Sequence, residues 1–464
     1  MKTLLIPLAW LVILSTPLAA QTYTVLHTFT NSPDGANPYA RPALAGGTLF
    51  GATDAGGSAG DGTLFKIGTN GTGYGILRSF NGSPDGANPD GDLIQVNASL
   101  FGTTYSGGGA GDGTVFQIGT NGSSYLILRS FTNNPNGGGL LAGVVGDGKI
   151  LYGTTAHGGT ALLGTEFSIN SDGVLFQQRN FQGLNVTPYD GLHPLSSLVL
   201  SSNVLYGTTE GGGTNTSGTV FCVGTNGTGY TILKHFNFNN GDGYGPRGAL
   251  LLVNGTLYGT TVNGGTFNMG NIFKLGTNGS GFTVLKSFPP GSFPGYTNSD
   301  GAFPYGTLAL SGDALYGTTY EGGAWGFGVI FQIKTNGTGF AVLKSFTGTD
   351  GANPWSGVVV SGKTLFGTTR FGGSSDNGVL YKLTIPPPPP EILVNYPSFG
   401  IVSGRFGFSI SGESNLQVVI EACTSLATPV WVPLRTNILS GLPSYFSDGA
   451  WSNYPGRYYR ARVR

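Results

Sequence analysis

The sequence predicts an all-β protein: a seven-bladed β-propeller with four strands per blade, closed by its N-terminal strand, plus a small C-terminal β-sandwich-like domain. The first observation is a pentapeptide, Leu-(Phe/Tyr)-Gly-(Thr/Ala)-Thr, that occurs seven times. The second is that each repeat divides into four short runs of strand-forming residues separated by Gly, Asn and Asp. The third is that the first and last runs complement each other, which predicts closure into a ring.

The repeat length identifies the unit. The glycines of successive pentapeptides are separated by 51, 51, 54, 52, 58 and 50 residues. Four strands in a period of this length are typical of a propeller blade. Thr-Asn-Gly between the third and fourth runs predicts tight hairpins. The central Gly of the pentapeptide is expected to allow a close approach of strand backbones. The pentapeptides begin at Leu49, Leu100, Leu151, Leu205, Leu257, Leu315 and Leu365.

The two ends of the repeat region predict how the ring closes. Tyr23–Phe29 matches the fourth run of later repeats, such as Tyr74–Phe80, so the chain enters one strand early. Val379–Leu383 matches the third run, so the last repeat lacks a fourth strand. Pairing of these two segments completes the seventh blade and hides sheet edges that would otherwise promote aggregation.

Composition excludes several classes of protein. The sequence contains 83 Gly and 26 Pro, which on their own would suggest disorder. Aromatic residues, however, make up 12% and charged residues only 9%, whereas a disordered chain has few aromatic and many charged residues. Lys plus Arg equal Asp plus Glu at 22 each, so the basic surface of a nucleic-acid-binding protein is absent. The two cysteines, Cys222 and Cys423, cannot form a disulfide framework.

Four segments are expected along the chain. Residues 1–20 have the basic start, apolar run and small-residue exit of a signal peptide, which predicts export to the cell surface or medium, with the periplasm as an alternative. The propeller occupies residues 21–384, a polyproline linker residues 385–390, and an all-β module residues 391–464. No segment of the mature chain is long and apolar enough to predict a transmembrane helix.

The loops indicate where a ligand would bind. In a four-stranded meander, the loop between strands two and three and the loop between blades emerge on one face, and these are the long loops here. Positions on this long-loop face vary from repeat to repeat and are rich in Tyr, Trp and Arg, which dominate binding hot spots. The candidates are Tyr39, Tyr105, His157, Glu210, Arg247, Tyr305, Tyr320, Trp325, Trp355, Arg370 and Phe371.

The sequence predicts neither a metal site nor a cofactor. Asp-Gly occurs in six of the blade-to-blade loops, but the alternating acidic spacing of a calcium-binding EF-hand loop is missing. Asp-Gly and Asn-Pro are turn formers, and the Asp side chain is expected to bond the main chain two residues further on. The four His residues fall in different repeat contexts, so spacing assigns no catalytic triad and no multi-histidine cluster.

The repeats resemble a known family. The units with LYGTT, the preceding Asp-Gly-Ala-Asn-Pro and the following Gly-Thr-Val-Phe resemble the GloVer tandem repeat of bacterial surface proteins whose C-terminal anchors vary. The tail, with FGFSISG at 406–412 and YPGRYYR at 454–460, is similar to a C-terminal module of exported proteins from Verrucomicrobia-like bacteria. The resemblance implies an exported bacterial repeat protein and implies no catalytic residues.

These observations lead to three hypotheses. The first is a noncatalytic propeller that binds an extracellular glycan or protein through its long-loop face, with the C-terminal module serving as tether or export element. The second is a propeller enzyme, a polysaccharide lyase or hydrolase acting on the same face, and the third is a structural envelope protein. Two carboxylates meeting in one pocket, or His157 with Tyr105 and Arg370, would favour the enzyme.

Overall fold

The structure, a computed structural model, describes residues 8–11, 21–183, 189–386, 390–394, 397, 399–454 and 456–464. Most of the predicted signal peptide, at 1–7 and 12–20, and residues 387–389 of the predicted linker lie outside the described residues. The chain divides into two compact units, Tyr23–Leu383 and Thr384–Arg464 with Met1–Thr22. In the described ranges, no helix has the length and apolar composition needed to cross a bilayer.

The unit Tyr23–Leu383 is all-β, as predicted, and each repeat forms one four-stranded sheet. We number the sheets 1 to 7 in chain order, and the strand pairs of sheets 1 to 6 are antiparallel throughout. Sheets 1 to 3 consist of Ala43–Ala45, Thr48–Thr53, Thr63–Gly68 and Gly75–Ser79; Ile94–Val96, Ser99–Thr104, Thr114–Gly119 and Leu126–Ser130; and Val145–Gly146, Ile150–Thr155, Thr165–Asn170 and Leu175–Asn180. Sheets 4 to 6 consist of Val199–Ser201, Val204–Thr209, Thr219–Gly224 and Thr231–His235; Leu251–Val253, Thr256–Thr261, Asn271–Gly276 and Thr283–Ser287; and Ala309–Ser311, Ala314–Thr319, Val329–Lys334 and Ala341–Ser345.

Sheet 7 takes its fourth strand from the other end of the repeat region. It consists of Val359–Ser361, Thr364–Thr369 and Val379–Thr384, and Thr22–Thr28 adjoins the last of these. Just beyond that strand, the main-chain N–H of Phe29 donates to the carbonyl oxygen of Gly378 across 3.1 Å. The predicted pairing of the first and last strand segments is therefore confirmed. Two short elements lie between the sheets: a ribbon of Gly191–Leu192 with Gly211–Gly212, and the 3-10 helix Phe238–Asn240.

The apolar core lies between successive sheets, as the alternating strand pattern predicts. Phe50 and Leu64 of sheet 1 pack with Leu100 and Phe116 of sheet 2 in one buried cluster. The pentapeptide glycine serves this packing by making room for an aromatic ring from the neighbouring third strand. A Cβ on Gly259 would lie 2.6 Å from Cζ of the fully buried Phe273. The expected close approach of strand backbones at this glycine is thus replaced by an approach of backbone and ring.

In five of the seven repeats, the first Thr after that glycine links its sheet to the next. Its hydroxyl is buried and donates a hydrogen bond to a main-chain carbonyl that precedes the first strand of the following sheet. The last of these bonds runs from sheet 7 back to sheet 1, so the same contact also joins the two ends of the repeat region. The pairs are Thr103 with Ala142, Thr154 with Ser196, Thr260 with Gly306, Thr318 with Ser356, and Thr368 with Ala40.

The Asp of Asp-Gly has a different partner from the one that its turn chemistry suggests. Oδ1 of Asp34 accepts from the main-chain N–H of Thr30, four residues earlier, and Oδ2 lies 2.9 Å from Nε2 of His27. In the other repeats, Lys or Arg takes the place of this His, and an aromatic ring of the following sheet covers the cation. The ion pairs are Arg78 with Asp85, Arg179 with Asp190, Lys234 with Asp242, Lys286 with Asp300, and Lys344 with Asp350.

The C-terminal unit contains two sheets around one apolar core that includes Phe408, Ile420 and Tyr459. One sheet consists of Leu8–Leu11, Gly456–Val463, Gln417–Cys423 and Val432–Ile438. The other consists of Glu391–Leu393, Arg405–Ser411, Gly400–Val402 and Ser444–Asp448, and a 3-10 helix spans Trp451–Asn453. Leu8–Leu11, from the predicted signal peptide, runs parallel to Gly456–Val463 at the edge of the first sheet.

The arginines of the last strand are largely paired rather than solvated. Nε of Arg460 and Nε of Arg462 lie 2.7 and 2.9 Å from the two oxygens of the buried Glu421. Arg457, an odd number of residues away, lies on the opposite face and pairs with Asp448 at 2.7 Å. Arg460 and Arg462 therefore share one face of the strand, and Arg457 lies on the other.

Candidate functional site

The long loops that enter and leave the sheets meet on one face, as the meander predicts. Ala36, in the loop before sheet 1, exchanges two main-chain hydrogen bonds with Ala55, in the loop after its second strand, at 2.7 and 3.1 Å. The same pairing recurs in later repeats, for example between Ala87 and Ser106. The variable positions of both loops are therefore neighbours on this face.

Seven equivalent loop positions, one from each repeat, line a single pocket. They lie just before the first strands, and the first strands of sheets 1 and 2, 3 and 4, and 6 and 7 contact each other. The pocket has a cavity volume of about 70 Å³ and is open to solvent, so a ligand would fill it only in part and extend into its mouth. We call it the axial pocket, and the seven positions are Tyr39, Asp90, Leu141, Leu195, Arg247, Tyr305 and Trp355.

One wall of the axial pocket is aromatic. The ring of Trp355 stacks on Tyr305 with 4.3 Å between centroids and an interplanar angle of 24°. The ring centroid of Tyr39 lies 5.0 Å from that of Trp355. The ring of Tyr320 packs edge-on against Trp355, with 5.5 Å between centroids. All four rings are partly exposed, so they offer a rigid apolar surface that still reaches solvent.

Arg370 lies against this wall. The guanidinium carbon is 4.3 Å from the ring centroid of Tyr39, 5.5 Å from that of Trp355 and 4.8 Å from that of Phe371. Its main-chain oxygen accepts a hydrogen bond of 3.1 Å from the Asn37 side chain, which fixes the loop. The buried Nε has no hydrogen-bond partner among the described residues. A buried donor is therefore left unpaired beside the aromatic wall.

Two carboxyl groups meet next to Arg370. The side chains of Asp54 and Asp90 lie close enough for each to shift the pKa of the other. Burial raises the pKa of Asp90 well above its usual range, the charge of Asp54 raises it further, and Arg370 acts in the opposite direction. Burial also raises the pKa of Asp54. Oδ1 of Asp90 is buried and unpaired within the described part of the chain.

Sequence reasoning did not include these two aspartates among the candidates. Asp90 occupies the same repeat position as Tyr39, and Asp54 the same position as Arg370. Their positions in the repeat could have identified them. The candidates were chosen mainly for aromatic and guanidinium side chains, so these two aspartates were left out. Their proximity follows from the contact between neighbouring repeats, in which the Asn88 side chain donates to the main-chain oxygen of Asp54 across 3.0 Å.

Two ion pairs complete the lining. Nε of Arg247 donates to Oε1 of Glu210 across 2.8 Å, and the guanidinium lies 5.5 Å from the ring centroid of Tyr305. Deeper in the pocket, Arg41 pairs with Asp92 at 3.3 Å. Glu210 is thus bound to a cation.

The remaining candidates lie elsewhere. Tyr105 and His157 meet edge-on with 6.2 Å between centroids and pack beside Gly139, and Arg370 contacts the aromatic wall instead of joining them. Phe371 lines a separate groove with Phe327. Trp325 is 62% exposed and lies outside the axial pocket. The axial pocket therefore unites Tyr39, Arg247, Tyr305 and Trp355 of the predicted residues, with Arg370, Tyr320 and Glu210 in contact with them.

The fold and the pocket define a class of protein: an all-β tandem-repeat protein in which consecutive sheets surround a shared site. Residues 12–188, 135–295 and 292–406 match the profile of the Gloeobacter/Verrucomicrobia repeat. The chain therefore belongs to the Gloeobacter/Verrucomicrobia repeat family, and the resemblance to the GloVer repeat is confirmed. No curated protein matches the sequence.

Solved structures offer distant similarities. A candidate 6-phosphogluconolactonase from Bacteroides uniformis is 13% identical over 86% of this chain and 98% of its own, with a TM-score of 0.47. One from Bacteroides fragilis is 13% identical over 90% and 99%, with a TM-score of 0.46. A puromycin-hydrolyzing peptidase from Mycobacterium tuberculosis is 12% identical over 85% of this chain and 61% of its own, with a TM-score of 0.46. At these scores the similarities support no inference about activity.

Proposed function

We propose that this chain is an exported, noncatalytic seven-bladed β-propeller with a small β-sandwich-like C-terminal domain, and that it binds an extracellular glycan in the axial pocket. The C-terminal domain would tether the propeller or serve its export. A protein ligand on the same face is the alternative within this class.

The observation that carries the proposal is the combination of an aromatic wall with unused polar atoms. Oδ1 of Asp90 and Nε of Arg370 are buried and lack partners in the described ranges, and a buried polar group without a partner costs about 1–3 kcal/mol. A sugar supplies hydroxyl groups that both donate and accept hydrogen bonds, and its ring presents an apolar face. The stacked Trp355 and Tyr305 offer the matching apolar surface, so one ligand class satisfies both features.

Glycan-array binding of the secreted chain, residues 21–464, tests the proposal. Trp355→Ala and Tyr39→Ala each remove part of the wall, and we expect each to weaken binding at least tenfold, since truncation of an aromatic hot spot costs about 2 kcal/mol or more. Trp325→Ala is the matched control, because it removes an exposed Trp outside the pocket and should bind as the unaltered protein does. Absence of binding to every glycan would contradict the proposal.

A propeller enzyme that acts on polysaccharide is the second candidate, and the Asp54–Asp90 pair favours it, since two carboxyl groups do meet in one pocket. Glycosidases, however, keep their two carboxyl groups about 5–10 Å apart with the substrate between them, whereas Oδ1 of Asp90 is buried. That difference favours binding. Release of new sugar ends from a bound polysaccharide, lost in Asp90→Asn, would establish the enzyme instead.

A further inference from the structure

The groove that Phe327 and Phe371 line is larger than the axial pocket. It also includes residues 347–349 and 352–353, before the first strand of sheet 7, and residues 372–373 and 376, after the second strand of that sheet. Its cavity volume is about 660 Å³, which falls in the range of small-molecule sites, against about 70 Å³ for the axial pocket. We call it the lateral groove, and it offers a ligand more room than the centre of the face does.

The main chain holds both phenylalanines at the lateral groove. Phe371 exchanges two main-chain hydrogen bonds with Ala352, at 2.8 and 3.0 Å. The N–H of Asn353, the next residue, donates to the carbonyl oxygen of Phe327 across 2.8 Å, and its side chain donates to the carbonyl oxygen of Tyr320 across 2.9 Å. Phe327 is nevertheless 40% exposed, and Phe371 is partly exposed. The two residues are therefore fixed by their main chain while their rings remain open to solvent.

The aromatic pair is specific to one junction between consecutive repeats. No other junction has Phe, Tyr or Trp at either of the two equivalent positions. The equivalents of Phe327 are Asp61, Asp112, Leu163, Ser217, Met269 and Asn377, and those of Phe371 are Ala55, Ser106, His157, Gly211, Asn263 and Glu321. Since the same loop framework is built from these other residues elsewhere, the packing of the repeats does not require the two rings. Ligand binding is the role that accounts for them.

Arg370 connects the lateral groove with the axial pocket. Its guanidinium carbon lies 4.8 Å from the ring centroid of Phe371, which lines the groove. It also lies 4.3 and 5.5 Å from the ring centroids of Tyr39 and Trp355, which line the axial pocket. Side-chain contacts therefore lead from the aromatic wall of the pocket to the groove. A ligand that leaves the pocket through its mouth can follow this row of partly exposed side chains.

Building on the proposed function, we propose that the ligand is an extended β-linked glucan chain that occupies the axial pocket and the lateral groove at the same time. All hydroxyl groups of a β-glucose unit are equatorial, so each unit presents apolar ring faces that can pack on Trp355, Phe371 and Phe327 in turn. The exposed side chains of Thr349 and Asp376 bond hydroxyl groups at the groove. A disaccharide occupies one of the two cavities, whereas a longer chain links both and gains affinity from the link.

The test measures how the affinity of residues 21–464 for cello-oligosaccharides depends on chain length, by isothermal titration calorimetry with cellobiose through cellohexaose. We expect the affinity to rise at least tenfold over this series, because only the longer chains reach both cavities. Phe327→Ala should remove most of the rise, since it deletes one of the two rings on which the outer sugar units pack. Trp325→Ala is the matched control: it deletes a 62% exposed ring two residues away, outside both linings, and should keep the full rise.

The outcomes separate this inference from the proposed function. Equal affinities for cellobiose and cellohexaose would overturn the extended site and leave glycan binding in the axial pocket intact. Array binding by another class of glycan, with no cello-oligosaccharide bound, would overturn the β-glucan assignment. A Phe327→Ala variant that keeps its thermal midpoint and the full rise in affinity would exclude the lateral groove from the site. Binding of no cello-oligosaccharide and no array glycan would overturn both this inference and the proposed function.

Discussion

The hydroxyl of Thr368 donates a hydrogen bond to the carbonyl oxygen of Ala40 across 3.1 Å, which joins the seventh repeat to the first. The two residues are 328 positions apart in the chain, and both are buried. Four other repeats make the same bond to their immediate successor, so the join between the two ends of the repeat region uses a contact that the repeats already contain. Closure and repeat packing therefore have the same physical basis.

Thr368→Val keeps the shape of this side chain and removes its donor. We expect the free energy of unfolding to fall by about 1–3 kcal/mol, because the Ala40 carbonyl oxygen loses its partner in a buried place. Urea denaturation followed by tryptophan fluorescence measures the change. Thr368→Ser retains the hydroxyl and should lose less, so equal losses in both variants would count against the hydrogen bond as the cause.

Gly259→Ala should destabilise the fifth sheet. The added methyl group would lie 2.6 Å from Cζ of Phe273, and a well-packed core that must accommodate such overlap loses about 1–3 kcal/mol. Gly75→Ala is the matched control, since it also lies in a strand, its backbone is ordinary, and no heavy atom lies within 4 Å of the added group. Comparable losses in the two variants would show that strand glycines matter for another reason.

His27 should make stability depend on pH. Burial lowers its pKa below the usual 6.5, although Asp34 acts in the opposite direction. The unfolded chain then takes up the proton first, so the stability due to neutral His27 is present above about pH 6.5 and is lost as the pH falls through the lower pKa of the folded state.

The variant His27→Arg reproduces the Arg78–Asp85 arrangement of the next repeat, including the aromatic cover, because Tyr74 already stacks on His27 at 3.7 Å. We expect the variant to gain stability relative to the unaltered protein as the pH falls from 7.5 to 5.5. His235→Ser is the second variant to compare, since burial lowers the pKa of His235 as well. An unchanged difference between His27→Arg and the unaltered protein across this range would contradict the prediction.

Asn136→Asp should stabilise the protein. Asn136 occupies the place of Asp85, and Arg129 that of Arg78, but Nε of Arg129 is buried and unpaired in the described part of the chain. A carboxylate at 136 would pair with the Arg129 guanidinium as Asp85 pairs with Nη2 of Arg78, which we expect to add about 1 kcal/mol to the free energy of unfolding at pH 7.

The gain should disappear in acid. Arg129 would lower the pKa of the new carboxyl in the folded state, so its contribution is present above the unfolded pKa of about 3.9 and is lost as the pH falls below it. Asn136→Ala, which supplies no carboxylate, is the control and should show no gain. An Asp variant that is no more stable than the Ala variant at pH 7 would argue that solvent already satisfies Arg129.

The sequence alone predicts the repeat, its four strands and the pairing of Tyr23–Phe29 with Val379–Leu383, because a motif present seven times constrains every copy at once. It also predicts that Tyr39, Arg247, Tyr305 and Trp355 lie on one face, since equivalent positions in equivalent loops must point the same way. The local sequence pattern does not predict a contact when the partner side chain belongs to another repeat. The Asp of Asp-Gly is an example: its turn sequence predicts a main-chain hydrogen bond and gives no sign of the cation with which it pairs.

Only the tertiary structure brings Asp54, Asp90 and Arg370 together, since they come from the first, second and seventh repeats. Along the chain each of them is an ordinary loop residue, and the charges of Asp54 and Arg370 act on the pKa of Asp90 only once the repeats have packed. Periodicity is encoded by short-range residue types, which a sequence displays directly. The raised pKa of Asp90 depends on burial and on charges from distant parts of the chain, which only the folded chain determines.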